Sequence, residues 1–132
     1  MRKNAETLGV IAGGGVLGAE ARYGLSVLIP DVPWATLVAN ASGCLLIGVL
    51  MVVLLELTDP HRFVRPFLGI GVLGGFTTFS AYAVETVDLF NDGQPAPALA
   101  YLAATPIIAL TFVWAGAALA RTVIFRRRGG RP

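Results

Sequence analysis

Four apolar runs, each long enough to cross a bilayer, take up most of this 132-residue chain. They lie at about Ala5 to Leu28, Trp34 to Leu55, Pro66 to Leu89 and Ala98 to Ile124. A helical span needs roughly 20 largely apolar residues. The separators combine turn formers with charge: Pro30 to Pro33, the loop from Glu56 to Arg65, and Asn-Asp-Gly-Gln-Pro at Asn91 to Pro95. Lipid offers no partner for a bare backbone amide, so runs of this kind close their own hydrogen bonds as helices. The expected fold is a single all-α integral membrane domain of four transmembrane helices over residues 1–132. Composition agrees, because 55% of the residues are hydrophobic and only 14% charged, against about 25% charged in soluble domains. Cys44 is the single cysteine, which excludes an internal disulfide and a cysteine metal site. The first run passes through Gly14, Gly15 and Gly18 into Glu20 and Arg22 without a small-residue cleavage site, so the N-terminus is expected to be retained.

Charge placement orients the domain. With four spans, the termini and the second loop share one side, which carries Arg2, Lys3, Arg62, Arg65, Arg121, Arg126, Arg127, Arg128 and Arg131. The other side has Arg22, together with Asp31, Asp88 and Asp92. The positive-inside rule then puts both termini in the cytoplasm of a multi-pass protein of the inner (plasma) membrane. The net charge of +2 does not signal nucleic acid, because the arginines flank apolar spans and form no basic-aromatic module.

Polar residues inside the spans carry the functional information. In span two, Thr36, Asn40, Gly43 and Ile47 fall on one helix face, and an amide at that depth needs a partner. Asn40 is either interhelical glue or a pathway-lining donor. Span four sets Tyr101 and Thr105 four residues apart beside Pro106, whose missing N–H frees the carbonyl of Leu102. Glu20 and Arg22, two apart, do not face each other; they are interface charges or a buried pair with other partners, and Arg22 has the charge to draw an anion to a vestibule. Span one holds two G-x-x-x-G spacings among Gly9, Gly13, Gly14 and Gly18, which suit close helix packing.

Span three is the strongest anomaly. Gly71, Gly74 and Gly75 weaken the helix, while the hydroxyls of Thr77, Thr78 and Ser80 are able to satisfy freed backbone groups. The stretch is either a glycine kink or a true break, and a break at membrane depth belongs in protein contact or along a cavity. Beyond it Phe79, Tyr82 and Glu85 recur every three residues and share a face.

Three motifs, GGVLGAEARY (Gly14 to Tyr23), TLVANASGCLLIG (Thr36 to Gly48) and GVLGGFTTFSAYAVE (Gly71 to Glu85), resemble the small fluoride-channel family known as Fluc or CrcB. The likeness covers nearly all four spans. It implies an antiparallel, dual-topology dimer of four-helix subunits with the third helix broken at its centre, and passive fluoride export along two pores at the dimer interface. It also implies a structural sodium ion, not transported, held by the backbone carbonyls of Gly74 and Thr77. By the same resemblance Asn40 and Phe79 line the fluoride path, Tyr101 and Thr105 begin a hydroxyl track, Arg22 stands at the vestibule, and Thr78, Ser80 and Glu85 support the site. Tyr82 departs from the family pattern, which has a second phenylalanine there; tyrosine keeps the electropositive ring edge and adds a hydroxyl.

A strong positive-inside bias sits poorly with one chain inserting both ways, so the expected partner is a homologous second chain of opposite bias. Two other functions compete with the channel. A proton-coupled exporter of the small multidrug type needs a titratable carboxylate near mid-membrane, and Glu20 lies near the end of span one beside Arg22. A noncatalytic membrane assembly subunit would use its glycines for packing alone.

Overall fold

The computed structural model describes residues 2–31, 33–57 and 60–128 of the chain. Arg131 of the basic C-terminal end, and Thr58 and Asp59 of the second connection, lie outside the described residues. So do the side chains of Arg2, Lys3, Arg127 and Arg128. The architecture is all helical: α1 (Arg2–Leu28), α2 (Trp34–Val52) running on as the π-helical segment Val53–Leu57, a second π-helical segment Pro66–Leu73 leading into the single turn α3 (Gly74–Phe76), α4 (Phe79–Asn91) and α5 (Pro95–Arg128).

Among the described residues, three helical stretches are long and apolar enough to cross a membrane: Trp34–Glu56, Pro66–Asn91 and Pro95–Ile124. The 27 residues of α1 match them in length, but its glycines, Glu20 and Arg22 dilute its apolar character. Large apolar side chains cover the outside, with Leu110 and Trp114 each 73% exposed and Ile107 63%. Small residues such as Ala35, Ala39 and Ala98 hold several of the buried positions, beside Leu54, Leu73, Tyr82 and Tyr101. That inversion suits lipid, where helices gain by close packing of small residues and not by hiding apolar surface from water.

Two glycine seams set the packing. Along the first, α1 lies against residues 66–76: a Cβ added at Gly18 would run into the carbonyl of Val72, one at Gly71 would come 2.8 Å from that of Ile11, and one at Gly75 would run into Gly15. Along the second, α2 meets α5, with Gly48 against the backbone of Val113 and Gly116 against that of Leu45. Helix α4 packs on α5. Turn chemistry joins these last two helices: Gly93 takes φ +72, its N–H reaches Phe90 O at 3.1 Å, and the N–H of Gln94 reaches Leu89 O at 2.9 Å. This is a Schellman closure, followed directly by Pro95 at the start of α5.

Candidate functional site

Halfway along residues 66–91 the backbone leaves the helix. Thr77 (φ −81, ψ 153) and Thr78 (φ −146, ψ 126) are both extended, and three side chains hold them there. Asn40 of α2 donates from Nδ2 to Thr78 O (2.9 Å) and accepts the Thr78 N–H at Oδ1 (2.8 Å). Thr78 caps α4, its Oγ1 accepting the N–H of Ala81 at 3.2 Å. Thr77 turns its hydroxyl back to Leu73 O at 3.0 Å.

These bonds redirect the two amides that a continuous helix would use four residues on from Gly74 and Thr77. The N–H of Thr78 goes to Asn40 and not to Gly74 O, and the N–H of Ala81 goes to Thr78 Oγ1 and not to Thr77 O. The carbonyls of Gly74 and Thr77 are thereby released from their helical partners. Gly74 is exposed. Arg22 of α1 reaches the same turn, its Nε donating to Gly75 O at 3.3 Å.

Beyond the break, the face expected from the three-residue spacing is present. Phe79 is 80% exposed, whereas Tyr82 is 6% and Tyr101 8% exposed. The rings step across α4 onto α5, with centroids 5.5 Å apart from Phe79 to Tyr82 and 5.4 Å, edge to face, from Tyr82 to Tyr101. Glu85 gathers two hydroxyls: Thr36 Oγ1 donates to its Oε1 (2.5 Å) and the Tyr101 hydroxyl to its Oε2 (2.6 Å). The Tyr82 hydroxyl is also engaged, donating to Leu102 O at 2.6 Å. Thr105 Oγ1 is buried without a hydrogen-bond partner.

The sequence-derived residues gather in two open clefts that share Thr78. One, of about 370 Å³, is lined by Asn40, Thr77, Thr78, Phe79, Tyr82 and Thr105. The other, of about 340 Å³, is lined by Arg22, Thr78, Ser80 and Glu85. Thr78 and Ser80 hydroxyls lie 3.2 Å apart between them. Tyr101 faces a third space, of about 550 Å³, with Trp34 and Leu37. Sequence reasoning left three participants unassigned. Thr36 was placed on the Asn40 face and the Leu102 carbonyl was freed by Pro106, but neither was given its partner; Cys44, which lines the first cleft, could have been found from its place four residues after Asn40.

Fold and site together define an all-helical, multi-pass membrane protein whose polar groups converge on an interrupted helix. The family model described as CrcB-like protein, Camphor Resistance (CrcB), matches residues 9–117. Over 93% of the chain and 82% of the relative, it is 54% identical to "Fluoride-specific ion channel FluC 1" of Streptomyces coelicolor. It is 50% identical to "Fluoride-specific ion channel FluC 2" of Streptomyces avermitilis over 94% of the chain and 81% of the relative. With "Fluoride-specific ion channel FluC 2" of Thermobifida fusca the identity is 48%, over 90% and 91%. The chain belongs to the CrcB family.

Proposed function

We propose that this chain conducts fluoride passively out of the cytoplasm, as one half of an antiparallel dimer in the plasma membrane with α1 as its fourth span. The observation that carries the reading is Phe79, a ring 80% exposed just past a helix interruption, in a chain whose relatives bear the name of fluoride channels. Fluoride is small and strongly hydrated, so a pore must replace its water with donors and with the positive edges of aromatic rings. The hydroxyls of Thr78, Ser80 and Thr105, the ring edges of Phe79 and Tyr82 and the second N–H of Asn40 are of that kind. Arg22 raises the anion concentration at the mouth, and Tyr101 and Glu85 hold the wall behind the rings. Each subunit leaves its clefts open, and an antiparallel partner is what would close them into pores.

A sodium ion fits the interruption. The carbonyls of Gly74 and Thr77, freed from helical bonding, are hard neutral oxygen donors of the type that unwound membrane helices offer to sodium. Held by these carbonyls, a sodium ion would supply a fixed positive charge at the interruption and would not be transported. The arginine-rich ends support cytoplasmic termini and, with them, a homologous partner chain of opposite bias. An exporter reading finds less support, since Glu20 is exposed on α1 and Glu85 is held by two hydroxyl donors. The assembly-subunit reading leaves the convergence of hydroxyls and rings without use.

Phe79→Ile tests the assignment. It keeps the apolar bulk and removes the ring edge, so fluoride flux in liposomes should fall about tenfold or more while the dimer stays intact by size-exclusion chromatography, taking one lost ring contact of about 1.4 kcal/mol as the scale. Unchanged flux in the intact dimer would remove Phe79 from the path.

A further inference from the structure

We propose that Tyr82 is a positioning residue: its hydroxyl stands in for the backbone N–H that Pro106 lacks, which fastens α4 to α5 and leaves the Thr105 hydroxyl uncommitted behind the cleft wall. The inference rests on the fluoride-path reading for its functional consequence, but the bond itself does not. Helix α5 runs from Pro95 to Arg128 with Pro106 inside it. Proline donates nothing, so the carbonyl of Leu102 loses the partner that residue 106 would otherwise give it. A bare carbonyl among apolar helices is costly, and neighbouring groups are recruited to cover it. Tyr82 does so from α4, twenty residues earlier in the chain, at 2.6 Å.

Thr105 is the local alternative. A threonine three or four residues beyond a carbonyl commonly folds its hydroxyl back onto it, as Thr111 does to Ile107 O at 2.7 Å in this same helix. Thr105 does not: its Oγ1 is buried without a hydrogen-bond partner, and the residue lines the cleft with Asn40, Phe79 and Tyr82. The Tyr82 bond removes the reason for it to turn back. The departure from the family's phenylalanine therefore adds no donor to the ion's path, because the added hydroxyl is consumed by Leu102. It preserves a donor at Thr105 and leaves the Tyr82 ring to act as a phenylalanine ring would.

Two variants separate this role from simple bulk. Tyr82→Phe keeps the ring and exposes the Leu102 carbonyl, while Pro106→Ala restores the N–H that covers that carbonyl within the helix. Each is made alone and in combination, with fluoride efflux from liposomes and thermal unfolding in detergent as readouts. We expect Tyr82→Phe to reduce flux about threefold or more, the scale of one interhelical hydrogen bond in a membrane, and to lower the melting temperature. In the Pro106→Ala background the same change should be nearly silent in both measurements. Additive effects, with Tyr82→Phe equally costly in the two backgrounds, would overturn the proposal, as would Tyr82→Phe silent in both. If the unaltered protein passes no fluoride, the channel reading fails, and the melting cycle still decides the Tyr82–Pro106 coupling.

Discussion

Asn40 uses both ends of its amide on one residue, taking the N–H of Thr78 and giving its own to the Thr78 carbonyl. The pair of bonds explains how an extended Thr77-Thr78 step is held at membrane depth, and it makes Asn40 a clamp on the interrupted helix with one N–H to spare. Asn40→Asp keeps the acceptor, removes the donor and sets a carboxylate against the Thr78 carbonyl. The expected result is fluoride flux lower by about tenfold or more, and a less stable fold, because losing one partner of a buried bond costs about 1–3 kcal/mol. Flux and melting temperature equal to those of the unaltered protein would remove the clamp. The identity of Asn40 as a special residue was legible from its isolation in an apolar run. Its partner was not, since Thr78 lies 38 residues away and hydrogen-bonds through its backbone, which carries no side-chain signature.

At the level of elements, the apolar runs and their turn-forming separators made the helices legible, and Gly93 with Pro95 marked the connection between α4 and α5. Which helix lies against which was not legible. Span one shows several glycines in a row, and spacing alone does not say which of them meet another backbone. The structure divides them: Gly14 and Gly18 abut residues 67–76, whereas a Cβ added at Gly9 or Gly13 would meet nothing within 4 Å. Gly18→Val should therefore separate α1 from the first half of span three and cost about 1–3 kcal/mol or more. Gly9→Ala should leave the melting temperature unchanged or slightly raised, given alanine's better helix propensity. Equal melting temperatures for the two variants would contradict the seam. The interruption after α3 follows from a competition that sequence shows only in part: glycines weaken the helix, and Asn40 and the Thr78 hydroxyl then capture the amides that would have continued it.

At the scale of the whole molecule, ion pairs among the described residues tie elements together at the end that holds the termini and the second loop. Arg62 meets Glu6 at 2.7 Å and Arg121 meets Glu56 at 2.8 Å. All four side chains are about half exposed, so each pair adds little to stability. Their concentration at one end matches the charge asymmetry from which cytoplasmic termini are inferred. The proposed second chain, facing the opposite way, would cover the open clefts and the exposed Phe79 ring. The most direct test is fluoride efflux from liposomes holding this chain alone and then together with a homologous chain of opposite charge bias. Once the partner is present, fluoride should leave without chloride and without any need for a proton gradient. No fluoride efflux from the paired chains, or efflux that depends on a proton gradient, would contradict a passive two-chain channel.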